Sequence, residues 1–306
     1  MGKILITGAS GFVGSNLISY LKNKNLNIIS FSREFGMMYE KIDSNYIDDE
    51  NIDVVIHLAG KAHDLNNISN ELDYFKVNTD LTIFIFNSFL KSNAKVFLYF
   101  SSVKAVKDHF DQTLTEDINP TPSSAYGKSK LAAEKYISLN STYVNKRVYI
   151  LRPCMIHGAG NKGNLNLLYN LISKNLPWPL GAFNNYRSFC CIDNLCFIVN
   201  ELITRKDIPA GIYNISDDDS ISTNDIVYLI SKTQQRKALI FSVNKRLIKL
   251  IAKIGDYFKL PLNTDRLTKL TESFVVSNSK IKEAIGKNLP FSINEGLLKT
   301  FHSFNK

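Results

Sequence analysis

The apolar positions of the first 152 residues repeat with two different periods. Short apolar, β-branched and aromatic runs at 3–7, 27–31, 53–58, 95–101 and 147–151 predict strands buried on both faces. Between them, segments 12–24, 72–91 and 124–140 repeat their apolar residues at helical spacing. This alternation predicts an α/β fold, a doubly wound parallel sheet covered by helices on both sides. After Arg152 and Pro153 the pattern changes to scattered helices at 164–174, 193–204, 223–234 and 277–285, separated by Pro, Gly, Asn and Asp. No repeat or low-complexity linker intervenes, so residues 154–306 read as a smaller lobe packed against residues 1–153.

A chain of 306 residues, 44% hydrophobic and 21% charged, has material for a full core. The longest apolar stretches, near 81–90 and 195–203, are interrupted well before they could cross a bilayer. No leader-like segment precedes the first strand, so a soluble cytoplasmic protein without membrane insertion is expected. Cys154, Cys190, Cys191 and Cys196 match neither zinc spacing nor a disulfide framework, so reduced thiols and no metal are expected. The net charge of +9 comes from scattered lysines without a nucleic-acid motif; it suits a small anionic substrate. The one basic cluster, 244–253, has apolar residues at helical spacing. It reads as a surface helix with a solvated lysine face in preference to a peripheral membrane attachment.

Directly after the first strand come Thr7, Gly8, Ala9, Ser10, Gly11, Phe12, Val13 and Gly14. Glycines at such a turn let the chain bend tightly, approach a pyrophosphate and pack helix on strand. The start of the helix then offers N–H groups to an anion. A glycine turn can also be purely steric; its place between a strand and a helix points to a dinucleotide. Further on, Tyr126 and Lys130 stand four apart at the start of a predicted helix and share one face. A phenol titrates near about 10, so a tyrosine base needs a nearby cation at neutral pH. Lys130 supplies one, and an oxidised nicotinamide would supply another. Such pairs also occur on ordinary helix surfaces. Here the pair follows the glycine turn and a fourth strand ending at Ser101 and Ser102, and that order gives it chemical meaning.

The spacing of Gly8, Gly11 and Gly14 resembles the fingerprint of short-chain dehydrogenases/reductases, and residues 53–60 look like that family's second cofactor strand. The order of these features resembles the extended NAD-dependent epimerase/dehydratase branch over nearly the whole chain. Leu151, Arg152 and Pro153, Gly163 to Leu165, Tyr186 and Arg187, Asp193 to Leu195, and Asp265 with Arg266 add to the similarity. The resemblance implies a dinucleotide-binding Rossmann domain over 1–153 and a smaller α/β lobe, mainly nucleotide-sugar-binding, over 154–306. It implies NAD or NADP held by Gly8, Gly11, Phe12, Val13, Gly14, Arg33, Leu58, Ala59, Gly60, Asn78, Ser101, Tyr126, Lys130 and Pro153. Leu58, Ala59 and Gly60 would lie along the adenosine, with Asn78 supporting that strand's turn. Ser102, Tyr126 and Lys130 would be catalytic. Lys104, Asn164, Arg187 and Arg266 would bind the substrate, the last three at its diphosphate.

Dehydratases of this branch place an Asp-Glu pair directly after the catalytic Thr or Ser, where this chain has Val103 and Lys104; dehydration is not expected. Residues 101–104, Arg187 with Ser188, and 216–223 look most like bacterial UDP-hexosamine 4-ketoreductases and 4-epimerases of surface-polysaccharide synthesis. The second strand ends in Phe31, Ser32 and Arg33 with no acid, although Glu34 follows, and an arginine there suits a 2′-phosphate. The reading therefore tilts to reduction of a UDP-4-keto-6-deoxy-hexosamine with NADPH. A UDP-glucose or UDP-GlcNAc 4-epimerase is the alternative. A third reading, an NAD(P)-sensing scaffold without activity, would be marked by loss of Tyr126 or Lys130, and both are present. By resemblance, a homodimer would pair through 72–91 and 124–140.

Overall fold

A computed structural model describes residues 2–32, 38–61, 70–110, 112–141, 145–161, 163–258 and 262–304. In chain order the first half gives β1 (Lys3–Thr7), α1 (Phe12–Lys22), β2 (Ile28–Phe31), α2 (Ser44–Asp49), β3 (Ile52–His57) and α3 (Glu71–Phe75). A π-helical turn (Lys76–Asp80) leads into α4 (Leu81–Lys91), β4 (Val96–Phe100), a 3-10 turn (Val103–Ala105), α5 (Ala125–Ser141) and β5 (Arg147–Pro153). The second half gives β6 (Met155–His157), α6 (Asn164–Ser173), β7 (Tyr186–Cys191), α7 (Ile192–Thr204), β8 (Gly211–Ile215) and β9 (Ser220–Ser222). It ends with α8 (Thr223–Thr233), α9 (Lys245–Phe258), α10 (Thr264–Thr271), α11 (Ser279–Ile285) and α12 (Ile293–Ser303).

The main sheet runs β2-β1-β3-β4-β5-β8, parallel throughout. It is the expected doubly wound sheet, built on strands within two residues of those the apolar runs predict. Ile4, Ile6, Val54, Ile56 and Leu98 face one side, with α1, α7 and α11. Leu5, Val55, Phe97 and Tyr99 face the other, under α4 and α5. Burial of both faces is why these strands read as continuous apolar runs. The sixth strand, β8, comes from beyond residue 153, so the sequence division at 153/154 is not a division of this sheet. A smaller sheet, β6-β7-β9, stands over a third core beneath α6, α8, α9 and α12.

Two departures from the expected helices have local causes. Helix α1 stops at Lys22 because Asn25 takes a left-handed conformation, φ 58°, that turns the chain toward β2. The single helix expected at 72–91 is two helices joined by the π turn, whose extra residue per turn buries Asn78 and Thr79.

The order of the main sheet reverses at β1, which has β2 on one side and β3 on the other, making the C-terminal ends of β1 and β3 the place where a crevice opens. A buried relay of hydrogen bonds fixes these ends. The Ala59 N–H donates to Thr7 Oγ1 (3.2 Å), Thr7 Oγ1 meets His57 Nδ1 (2.8 Å), His57 Nε2 meets Thr82 Oγ1 (3.0 Å), and Thr82 donates to the Asn78 carbonyl (2.8 Å). Because the last hydroxyl donates to a carbonyl, His57 Nε2 carries a ring proton. Burial, with the Lys130 charge adding, pushes the His57 pKa down to about 3, so the ring is neutral and Nδ1 accepts from Thr7.

The sign of the consequence follows. The unfolded chain binds a proton at His57 below its ordinary value of 6.5 and the folded chain does not until about 3, so stability falls as pH drops through that window. Between pH 7 and 5, urea unfolding of the wild type should lose about 2 kcal/mol more than that of His57→Gln, at about 1.4 kcal/mol per pH unit below 6.5. Equal losses in both proteins would refute a neutral His57.

Candidate active site

The turn between β1 and α1 is shaped by contacts that no side chain could share. Gly8 has φ +70°, and a Cβ on it would lie 2.7 Å from the Ala59 nitrogen. A Cβ on Gly14 would lie 2.4 Å from the Gly8 carbonyl oxygen, so α1 starts hard against the turn. Gly11 differs: it is exposed, N-caps α1 without a side-chain bond, and has only the Gly8 oxygen near, at 3.3 Å. Phe12, at the first helical position, approaches Gly158 of the second half. Two glycines thus make the turn, and the third leaves backbone open at a helix N-terminus. This arrangement fits a dinucleotide pyrophosphate. Arg33 lies outside the described residues.

Leu58 and Ala59 back onto Gly8, and the next residue changes surroundings. A Cβ on Gly60 would lie 3.0 Å from Asn78 Oδ1 and 3.2 Å from Lys130 Nζ, so Gly60 borders the lysine ammonium. Asn78 itself accepts from the Lys61 N–H (2.7 Å) and donates to the Lys61 carbonyl (3.2 Å) and to Ser129 Oγ (3.0 Å). It ties the exit of β3 to the first turn of α5, where Tyr126 and Lys130 stand.

Tyr126 stands beside Ser102, while Lys130 donates to the Phe100 carbonyl (2.8 Å) and lies 5.0 Å from the Tyr99 ring centre. These groups meet at the C-terminal ends of β4 and α5's first turn. Burial raises the Tyr126 pKa and the Ser102 hydroxyl only partly offsets it. Lys130 gives one of its three N–H groups to Phe100, and burial dominates the phenol, so the Tyr126 pKa is raised in place of the expected lowering. Burial likewise lowers Lys130, to about 8, against an opposing pull from Glu134.

Glu134 is the residue the sequence reading missed. It lies one further turn along α5, on the face of Tyr126 and Lys130, and is buried. Ser101 Oγ donates to its Oε1, and Arg152 holds both oxygens through Nε (3.0 and 3.2 Å) and Nη2 (2.6 Å). The spacing of 126, 130 and 134 was a usable signal, because the three share a helix face. Ser101 therefore points into this pair, and Pro153 closes β5 beside Ile215 of β8.

Beyond Ser102 a polar strip leads away from this centre. Lys104 Nζ donates to the Asp108 carbonyl (2.5 Å) and lies 5.0 Å from the Phe274 ring centre; burial lowers its pKa. Against the burial that would raise it, hydrogen bonds from the side chains and amides of Ser123 and Ser124 hold Asp108 at about 2. Asp108 thereby fixes the loop that delivers α5. Phe274 bridges to Arg187 of β7, whose Nη1 donates to the Lys269 carbonyl of α10. Arg266 stands exposed one turn before Lys269 on α10. Lys104 and Arg187 are thus brought into one strip, Arg266 is exposed on the adjoining α10, and Asn164 opens α6 behind Gly163.

The model of the NAD dependent epimerase/dehydratase family matches residues 4–216. Over 98% of this chain and 95% of its own length, a UDP-glucose 4-epimerase from Vibrio cholerae is 30% identical. An N-acetyl-alpha-D-glucosaminyl-diphospho-ditrans,octacis-undecaprenol 4-epimerase from Escherichia coli O157:H7 is 25% identical, with coverage of 97% and 93%. The solved UDP-glucuronic acid 4-epimerase from Bacillus cereus, in complex with UDP-glucuronic acid and NAD, shares the fold at TM-score 0.75 and 19% identity, over 99% of both chains.

The glycines make separable predictions. Gly14→Ala should lower the melting temperature whether or not cofactor is present, because its Cβ meets backbone. Gly11→Ala should change apo stability by no more than about 1 kcal/mol, the scale of an N-cap change, while weakening NAD(P) binding in titration calorimetry. Unchanged binding by Gly11→Ala would remove the pyrophosphate from this turn. Glu134→Gln leaves the Arg152 charge buried without its partner and should cost about 3–5 kcal/mol in urea unfolding. A loss below about 1 kcal/mol would show that the pair does not hold α5 to the sheet.

Proposed function

We propose that this chain, which belongs to the NAD dependent epimerase/dehydratase family, exchanges hydride at C4 of a hexose carried on a diphosphate, with UDP-linked hexoses or hexosamines as the first class to test. The observation that carries the reading is Tyr126 beside Ser102 with Lys130 on the same helix face, next to the glycine turn. A bound nicotinamide would supply and take back the hydride. Tyr126, which burial keeps protonated, gives its proton to the C4 oxygen during reduction and recovers it during oxidation. Ser102 donates a hydrogen bond to that oxygen and polarises it. Lys130 supplies positive charge near the phenolate that reduction leaves and oxidation consumes. Lys104 and Arg187 line the strip suited to a diphosphate, and Arg266 and Asn164 join them by resemblance.

Epimerisation at C4 is the first reading, because both near-full-length relatives described above are 4-epimerases. It needs the C4 ketone to turn over between loss and return of hydride, and so a retained cofactor. Reduction of a UDP-4-keto-6-deoxy-hexosamine with NADPH is the second reading, favoured by Arg33 in place of an acid after β2. Either reaction suits surface-polysaccharide precursor synthesis in the cytoplasm. The same reading carries a homodimer through α4 and α5, on which Phe84 and Leu139 are exposed.

Denaturing the purified protein and chromatographing what it releases separates the two. About one NAD per chain, with interconversion of UDP-glucose or UDP-GlcNAc without added cofactor, supports epimerisation. No retained cofactor and NADPH oxidation on adding a UDP-4-keto sugar supports reduction. Inactivity in both assays would overturn the proposal.

Tyr126→Phe should lose on the order of a hundredfold or more in turnover while keeping cofactor affinity. Near-normal turnover would remove Tyr126 from proton transfer. Arg187→Ala and Arg266→Ala should each raise KM by the equivalent of about 1.5–3 kcal/mol with little change in melting temperature. A lower melting temperature with unchanged KM would assign them to the fold instead.

A further inference from the structure

The basic cluster read from the sequence as a surface helix with a solvated lysine face lies on α9, where Lys245, Lys249 and Lys253 are exposed, but a further exposed arc of that helix is apolar. Ile248, Ala252 and Gly255 face the third core. A Cβ on Gly255 would lie 1.8 Å from the Leu262 carbonyl oxygen, so the helix is pressed against the chain leading into α10 and cannot roll. Its rotation is therefore fixed, with a second apolar arc turned away from the core.

That arc consists of Leu247, Leu250, Ile251, Ile254, Tyr257 and Phe258, all exposed, from 40% at Ile251 to 83% at Tyr257. At 3.6 residues per turn they form one stripe about 16 Å long. An ordinary surface helix puts polar residues there. Arg246 and Lys253 are exposed along the stripe's free edge, where the helical period places them one turn from Leu250 and Tyr257, while Lys249 lies further round on the polar side. The helix's one acid, Asp256, lies off the stripe and accepts from the N–H and hydroxyl of Thr264.

We propose that this stripe docks the protein onto an anionic lipid surface, lying in the headgroup plane. Charge complementarity selects the occupant. Two copies meeting through the stripe would bring two basic edges together without an acid to answer them, whereas anionic headgroups answer both bordering cations while the apolar side chains enter the acyl boundary. The chain's net charge of +9 acts in the same direction. Among the described residues no helix is long and apolar enough to cross a membrane, so α9 lies on the surface and does not span it. The attachment does not rest on the proposed reaction.

The test is flotation of the full chain with vesicles of phosphatidylcholine alone or with about a third phosphatidylglycerol, a mixture that sets an anionic surface potential. The wild type should float only with the anionic vesicles and be released by about 0.5 M salt, which shortens the screening length. Leu250→Glu with Ile254→Glu, and separately Arg246→Glu with Lys253→Glu, should each cut the bound fraction by about tenfold or more. Being exposed, these positions should leave melting temperature and turnover unchanged, which keeps the result independent of activity. Failure to float, equal flotation with neutral vesicles, or a dimer that Leu250→Glu with Ile254→Glu splits would each overturn the proposal, the last by assigning the stripe to a second copy.

Discussion

The buried carboxylate of Glu134 is the constraint on which the catalytic centre depends. A charge this deep is tolerated only with a partner and with its oxygens satisfied, and Arg152 and Ser101 provide both. Those partners belong to the end of β5 and the residue after β4, while Glu134 belongs to α5, so one ion pair locks the helix to two strands. The same carboxylate opposes the effect of burial on Lys130, one helical turn away. Structure and electrostatics at this site are consequently one problem: whatever loosens the pair moves the helix and the lysine charge together.

Around that anchor the remaining polar groups divide the work of placing backbone. The His57 relay holds the ends of β1 and β3, Asn78 ties the exit of β3 to α5, and Asp108 holds the loop from which α5 starts. Each is a short-range device in a region where strands end and helices begin, and where backbone N–H and C=O groups would otherwise lack partners. A crevice at the switch point of a parallel sheet needs this support because the sheet's own ladder stops there.

The outer face of α9 answers to a different requirement. Its lysines are present as the cluster 244–253 led one to expect, but Gly255 against Leu262 sets which side of the helix they share with apolar residues. An amphipathic pattern alone gives the width of the apolar arc. Only packing tells how much of it is covered, and here about half is left facing out.

Much of the fold was legible along the chain. Strands buried on both faces must be continuously apolar, a glycine turn before a helix needs glycines at fixed offsets, and a tyrosine and lysine four apart must share a helix face; these are local rules, written in order. The capping box of Ser292 and Glu295 marked α12 just as plainly and went unread. What the sequence could not decide involves partners distant along the chain. Arg152 meets Glu134 across 18 positions, Asp108 meets Ser124 across 16, Phe274 meets Lys104 from far along the chain, and β8 returns to complete the first sheet. The π turn that buries Asn78 replaced an expected straight helix because Asn78 gains bonds to Lys61 and Ser129 that no helical propensity encodes. The sequence by itself determined the order of elements and singled out the candidate reacting groups; tertiary structure alone decided their charge states and neighbours, because burial and non-local contacts set both.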